Sequence, residues 1–223
     1  MTLQDYIFRL QRLLHDAQGQ IWPINPDLIT YINIGRDRVA LDCLATRILP
    51  IITIPALQER FLYSTVQTAA LQLTNPTPSS RIIGAINGIN IIQSSAYQPP
   101  LARMSWTELN AKYRAQGPLQ PAAFPESWAP FGDNQTFYIA SPSGSQLTAE
   151  IDCTYLPSNL VNTTDVETAI ADPLSELVAL QAARWAMYYQ DDFGAAEKFM
   201  AHYKMEKVEI MEALPHFSGF TVS

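Results

Sequence analysis

The sequence predicts an α+β protein, a four-helix bundle built from both chain ends with a β-sandwich or barrel-like domain inserted between them. Charged residues number 10 over residues 1–47 and 14 over residues 158–223, but only 11 over residues 48–157. The same central stretch holds 12 of the 16 prolines. A charge-poor, proline-rich centre between charged flanks is typical of strands and turns that interrupt a helical domain.

We therefore expect three parts in the chain. Residues 1–47 and 172–214 should form the helical bundle domain, because two helices from each end can pair around one core. Residues 48–160 should form the inserted β domain. The fourth helix ends at Pro215, which cannot continue a helix, and residues 215–223 should form a C-terminal tail that docks either on its own bundle or on a partner.

Two helices are predicted before the β domain. Thr2 and Asp5 can form a capping pair at the start of the first. Asn25-Pro26-Asp27 is a start signal for the second, which should run to about Thr46. Gly35 lies inside it and weakens a helix by about 1 kcal/mol relative to Ala. The first helix carries one apolar stripe at three- and four-residue spacing, formed by Leu3, Tyr6, Ile7, Leu10, Leu13 and Leu14.

Two more helices are predicted after the β domain. Asp172-Pro173 repeats the start signal, and Phe193-Gly194 breaks the helix that follows. Asp191 or Asp192 can then cap a fourth helix, which Pro215 ends. One residue from each of the first two helices and two from the third are expected in the bundle core: Leu10, Ile32, Leu177 and Trp185.

The central region should contain mostly strands. A hairpin loop is expected at residues 141–145, and a turn or bulge at Asn87-Gly88. One helix is expected at residues 106–114, because Ser105 and Glu108 have capping-box spacing. The β-rich runs are residues 51–54, 61–66, 81–93, 135–140 and 147–155.

Composition excludes several classes of protein. The net charge of −7 and the pI near 4.9 disfavour a protein that grips nucleic-acid backbones. Cys43 and Cys153 lie too far apart for a metal motif and are too few for a disulfide framework. Charged residues interrupt the N-terminal region, where a signal peptide needs an unbroken apolar stretch. The apolar run 48–57 is too short to span a membrane. We therefore expect a soluble protein made in the cytoplasm.

No catalytic motif is present, so we predict no enzyme, no catalytic residue, no cofactor and no metal. His15, His202 and His216 lack the spacing of metal ligands. Three acid pairs occupy turns, caps or strands, where structural roles are far commoner than catalytic ones. These pairs are Glu150 with Asp152, Asp165 with Glu167, and Asp191 with Asp192.

A second class of function stays open on the same residues. Two carboxyl groups close together on one strand face are the arrangement of a retaining glycosidase. The tryptophans are a potential sugar-stacking platform. The alternative is therefore a carbohydrate-binding or carbohydrate-active β module. The four tryptophans are Trp22, Trp106, Trp128 and Trp185.

The order of several short segments is more specific than any of them alone. PLARMSWTEL at residues 100–109 is followed by Tyr113-Arg114 and Gly117-Pro118, then by LTAEIDCTYLP at residues 147–157 and Asp172-Pro173-Leu174. This order resembles the tail adaptor proteins of short-tailed bacteriophages, the head-to-tail connectors of the tail tubular protein A type. The resemblance covers most of residues 1–212.

The resemblance implies a structural protein of the virion tail or neck. Such adaptors form a ring, usually of twelve copies, which joins the portal protein to the tail nozzle protein. DNA passes through the ring without sequence-specific binding, and an acidic chain suits a conduit that must not hold phosphates. Made in the host cytoplasm, such a protein has no membrane partner.

The resemblance also suggests a role for the C-terminal tail. Residues 216–223 carry no formally charged side chain and include three apolar ones that would gain free energy on burial. Adaptors of this type embrace the portal through their C-terminal region. We therefore expect Phe217, Phe220 and Val222 to be partner-binding residues that contact the portal or a neighbouring adaptor subunit.

Overall fold

The computed structural model describes residues 1–16, 21–73, 82–92, 99–115, 124–132 and 135–213. The chain divides into two compact units. The first, called here the helical unit, comprises Met1–Thr46 and Pro157–Ser223, and the second, the β unit, comprises Arg47–Leu156. The protein is therefore of mixed α+β class, as the sequence predicts.

The described residues form six α-helices and eight strands. The helices are α1 (Leu3–Leu13), α2 (Ile29–Asp42), α3 (Tyr63–Leu71), α4 (Trp106–Ala115), α5 (Ser175–Tyr189) and α6 (Phe193–Ala213). The strands are β1 (Arg47–Ile48), β2 (Ile51–Ile54), β3 (Arg60–Leu62), β4 (Ile82–Ile92), β5 (Ala102–Arg103), β6 (Ser127–Phe131), β7 (Thr136–Ala140) and β8 (Leu147–Leu156).

Helix α1 begins at the predicted capping box. The Thr2 hydroxyl accepts a bond from the Asp5 N–H at 3.3 Å, and the Asp5 carboxylate accepts one from the Thr2 N–H at 2.7 Å. These bonds satisfy two donors that a helix start otherwise leaves free. The Thr2 N–H and hydroxyl also hold the pKa of Asp5 below its ordinary value.

Helix α2 is shorter than its sequence predicts. One turn of π-helix spans Ile24–Leu28, and the α-helix then runs from Ile29 to Asp42. The predicted end near Thr46 is wrong, because Leu44 has a positive φ of 51° and the chain turns there toward β1. A residue in the left-handed region cannot continue a right-handed helix.

Helix α5 is the centre of the helical unit. It packs on α1, α2 and α6, so segments from both chain ends share one hydrophobic core. Leu10, Ile32 and Leu177 are fully buried there, as expected. Trp185 packs against the same core but is only partly buried, so its predicted core position is confirmed only in part. The apolar spacing of α5 does not show which part of the helix its neighbours leave uncovered.

Asp192 caps helix α6. Its carboxylate accepts a hydrogen bond from the Ala195 N–H at 2.9 Å, and its carbonyl accepts one from Ala196 at 3.0 Å. Asp191 lies one residue earlier with a positive φ of 58°, which turns the chain between α5 and α6. The sequence left these two acids as alternatives for the cap, and the structure assigns that role to Asp192.

This cap supports a stability prediction. Replacing Asp192 by Ala removes the acceptor of the Ala195 N–H, so the free energy of unfolding should fall by about 1 kcal/mol. Chemical denaturation would measure the change. Lys198→Ala, on an exposed position of the same helix, should change it by less than about 0.5 kcal/mol. Equal losses in both variants would contradict a specific capping role.

Two sheets make up the framework of the β unit. In the first, β4 pairs along most of β8, while β1 and β2 pair in succession with its other edge, all antiparallel. The second has the order β3-β7-β6-β5, with only the β5–β6 pair parallel. Neither sheet closes into a barrel among the described strands, so the barrel-like alternative is wrong for this part of the chain.

The two sheets and α3 share one hydrophobic core. Ile89 and Ile151 of the first sheet pack in this core with Phe137 and Trp128 of the second sheet and Val66 of α3. All five are at most 2% exposed. Phe61 stacks on Phe137 with ring centroids 5.3 Å apart. Inward-facing side chains of both sheets therefore bury each other.

Three local predictions for this unit need correction or refinement. Residues 63–66 are helical rather than strand, because Tyr63, Val66 and Ala70 lie one helical turn apart and bury the same side of α3. Residues 141–145 do not close a hairpin, because β7 and β8 belong to different sheets and the chain crosses between them. At Asn87-Gly88 the structure has a register shift within the single strand β4, hence a bulge rather than a turn.

Candidate assembly surfaces

The segment that follows β8 is hydrogen-bonded to the start of the chain. The N–H groups of Leu3 and Gln4 donate to the carbonyls of Asp165 and Thr163 at 2.9 and 3.1 Å. Residues 157–171, called here the clasp segment, contain no α-helix or strand longer than an isolated bridge. Because the clasp segment has no regular secondary structure, some of its carbonyl groups accept hydrogen bonds from the start of α1 instead.

A buried ion pair fixes the clasp segment to α2. Arg36 donates from Nε to Oε2 of Glu167 at 2.6 Å and from Nη2 to Oε1 at 3.1 Å. Both side chains are at most 3% exposed. The N–H groups of Ala169 and Ile170 also donate to Glu167 Oε1, at 2.8 and 3.1 Å. Such a two-point pair with its remaining acceptors satisfied is the geometry in which a buried pair is stable.

The electrostatics of Glu167 follow from these contacts. Burial raises the pKa of the Glu167 carboxyl, but the Arg36 guanidinium and the two backbone donors outweigh burial. Its pKa therefore lies below the ordinary value, and the group is charged at neutral pH.

Asn33 completes the attachment one turn earlier on α2. Its Oδ1 accepts from the Leu160 N–H at 3.0 Å, and its Nδ2 donates to the Leu160 carbonyl at 2.9 Å. Arg36 Nη1 donates to the Ser158 carbonyl at 2.8 Å and to Asn33 Oδ1 at 3.0 Å. Two side chains of α2 thereby set the path of residues 158–167.

A groove opens beside this attachment and is called here the α2 groove. It has a volume of about 330 Å³ and lies between a mostly half-buried side of α2 and the first part of the clasp segment. The α2 residues that line it are Ile29, Thr30, Asn33, Ile34 and Asp37, and the opposite wall is Asn159, Leu160 and Val161.

Helix α6 presents a second candidate surface. Only Ala196 and Tyr203 of its 21 residues are buried, and Tyr203 donates to the Asp42 carboxylate at 3.0 Å. Met205 and Val208 are 64% and 55% exposed, on the side away from Tyr203. Two such side chains are too few to define a contact surface by themselves.

The tail residues expected to bind partners, Phe217, Phe220 and Val222, lie outside the described residues.

The three acid pairs singled out in the sequence have structural partners. Asp152 forms an ion pair with Arg47, with Nε to Oδ1 at 2.6 Å, and Glu150 accepts from Asn90 at 3.3 Å. The N–H groups of Val161 and Asn162 donate to the Asp165 carboxylate at 2.8 and 2.9 Å. These bonds lower the pKa of Asp165 from its ordinary value. The pKa values of Asp165 and Glu167 are both lowered, whereas a general acid needs a raised pKa.

The tryptophans do not form a shared platform. Trp22 and Trp128 are 5% and 0% exposed, so their faces are inside the two cores. Trp106 packs against Phe131 and Tyr138 with ring centroids 4.7 and 4.5 Å apart. The carbohydrate alternative therefore loses the arrangement of rings on which it rested.

Among the described residues, no three His, Cys, Asp or Glu side chains lie close enough to hold a metal ion. His202 is exposed on α6, and His15 follows the end of α1, while His216 is outside the described part. No described helix is long and apolar enough to cross a membrane.

Comparison with known proteins agrees with the resemblance seen in the sequence. The family model of the SU10 adaptor protein matches residues 1–214, which is nearly the whole chain. No curated protein matches the chain itself. The match spans the helical unit, the β unit and the clasp segment described above. The chain therefore belongs to the SU10 adaptor protein family, a family of phage head-tail adaptors.

Proposed function

We propose that this protein forms a ring that joins the portal protein of a short-tailed phage to its tail nozzle protein. The observation that carries the proposal is the family match over residues 1–214, which supports a structural adaptor of the virion rather than an enzyme. The ring is expected to contain twelve copies, and DNA is expected to pass through it without sequence-specific binding. The net charge of −7 favours such passage because acidic walls do not retain phosphates.

The parts of the chain have separate roles in this proposal. Residues 1–47 and 172–214 act as one four-helix bundle, and residues 48–160 act as an inserted β domain. Residues 215–223 act as a docking tail, in which Phe217, Phe220 and Val222 contact the portal or a neighbouring copy. The adaptor needs no cofactor, because its work is assembly.

Sedimentation of the purified chain, alone and mixed with the portal protein of the same phage, tests the proposal. We expect a discrete complex in the mixture whose mass fits a ring of about twelve copies on one portal. A chain shortened to residues 1–214 should keep its melting temperature and lose portal binding. A full-length chain that stays monomeric and unbound at every concentration would contradict the proposal.

The same preparation tests the enzymatic alternative. Incubation with bacterial surface polysaccharide should release no new reducing ends. Release that disappears in Glu150→Gln or Asp165→Asn, with unchanged melting temperature, would overturn the assignment as a structural protein.

A further inference from the structure

Asp37 is a half-buried carboxylate without a partner in the described part of the chain. Its neighbours are both engaged, since Arg36 pairs with Glu167 and Arg38 pairs with Asp42 at 3.0 Å. No described residue donates a hydrogen bond to Asp37 or forms an ion pair with it. Burial raises the pKa of Asp37 to about 6, although the Arg36 charge acts in the opposite direction.

The position of Asp37 distinguishes it from a surface acid. It lines the α2 groove together with Ile34 and Val161, and Val161 is 63% exposed. A partly desolvated carboxylate without an ion-pair partner is unfavourable in the free chain. The protein thus keeps such a carboxylate in an open groove whose lining is half polar and half apolar, the apolar part being Ile29, Ile34, Leu160 and Val161.

The groove has the chemistry of a receptor for a long basic side chain. A lysine or arginine packs its aliphatic stem on apolar surface while its charged end reaches a polar group. Ile34 and Val161 would contact the stem, and the Asp37 carboxylate would accept from the charged end. A charge-assisted bond inside a groove is stronger than one between exposed side chains.

The chain itself carries cations that suit this groove. Arg60 on β3 and Lys198 and Lys204 on α6 are exposed and have no carboxylate within ion-pair distance among the described residues. In a ring, each copy contacts the next through two different surfaces, so an acceptor on one copy meets a donor on its neighbour.

We propose that the α2 groove binds a lysine or arginine side chain of a second copy of this chain, with Asp37 as its ion-pair partner. This proposal rests on the ring-forming function proposed above. It assigns one side of the contact between neighbouring copies and leaves the portal and nozzle to other surfaces.

The test compares Asp37→Asn with the wild-type chain and with Asp191→Asn. Asp191 is an exposed acid at a positive φ that Asn tolerates, so this control makes the same charge change away from the groove. Sedimentation velocity measures the concentration at which rings form, with and without portal protein, and thermal unfolding monitors the fold.

We expect Asp37→Asn to keep or raise the melting temperature of the free chain, because an unpaired acid is removed. The concentration needed for rings should rise at least tenfold, while Asp191→Asn should assemble like the wild type. Asp37→Arg should abolish rings, and mixing it with Arg60→Glu, Lys198→Glu or Lys204→Glu copies should restore them for the cation concerned.

Four results would overturn the inference. If Asp37→Asn assembles like the wild type while wild-type rings form normally, the groove is not an interface, although the ring function stands. If self-assembly is normal and only portal binding is lost, the occupant is the portal. If melting temperature and assembly fall together, Asp37 supports the fold. A wild-type chain that forms no ring at all would contradict both proposals.

Discussion

Replacing Glu167 by Gln is expected to lower the free energy of unfolding by about 3–5 kcal/mol, the largest effect predicted for a single substitution here. The reason is that Arg36 and Glu167 are both buried, so removing the carboxylate leaves a guanidinium charge away from water without its partner. Gln can still accept hydrogen bonds from the Ala169 and Ile170 N–H groups. The fall in the free energy of unfolding therefore measures mainly the loss of the Glu167 charge beside Arg36. Urea denaturation of the purified chain would measure it.

The matched control is Glu176→Gln. Glu176 forms an ion pair with Arg9 at 3.2 Å, but both side chains are more than 40% exposed, so the loss should stay below about 1 kcal/mol. Replacing Arg36 and Glu167 together by Met should recover part of the stability lost in the single variant, since no lone charge is then buried. Equal, small losses in all variants would contradict a tight pair.

The same pair predicts an acid dependence. Because the folded pKa of Glu167 lies below its ordinary value of 4.5, its contribution is fully present above that pH. The contribution is lost as the pH falls through the lowered folded pKa. The Glu167→Gln chain should therefore lose less stability than the wild type between about pH 5 and pH 3.

Gly35→Ala should destabilise the helical unit by at least about 2 kcal/mol, even though Ala favours a helix by about 1 kcal/mol over Gly. A Cβ at this position would lie 2.6 Å from the Val178 carbonyl oxygen and 3.2 Å from the Ala182 nitrogen. Both atoms belong to the backbone of α5, so α2 and α5 would have to separate.

Gly194→Ala is the control for this prediction. A Cβ there would lie 3.6 Å from the Asp192 side chain, an ordinary contact, and the change should be neutral or slightly stabilising. Thermal unfolding of the two variants would compare them. A Gly35→Ala chain that melts as high as Gly194→Ala would show that α2 and α5 do not approach this closely.

The sequence predicts helix caps correctly, because the residues that form a cap are close together along the chain. The Thr2–Asp5 box and the Asp192 cap are such cases, because donor and acceptor lie three residues apart. The Gly35 contact is different: its helical penalty is visible in the sequence, but its closeness to α5 depends on a helix more than 140 residues away.

Long-range pairs escaped prediction for the same reason. Arg36 lies within the inward stripe of α2 that contains Ile32 and Val39, and a cation on an apolar stripe indicates a buried partner somewhere. Nothing local identifies Glu167 as that partner, 131 residues later. The helical start at Tyr63 was missed because its aromatic and β-branched residues favour strands, while their spacing toward the core favours a helix.

Cryo-electron microscopy of portal particles incubated with this chain tests the central claim most directly. The account predicts a ring of about twelve copies on one end of the portal, with the central channel open. Removal of residues 215–223 should prevent this attachment without lowering the melting temperature. Portal particles that carry no added density at saturating concentrations of a folded chain would contradict the account.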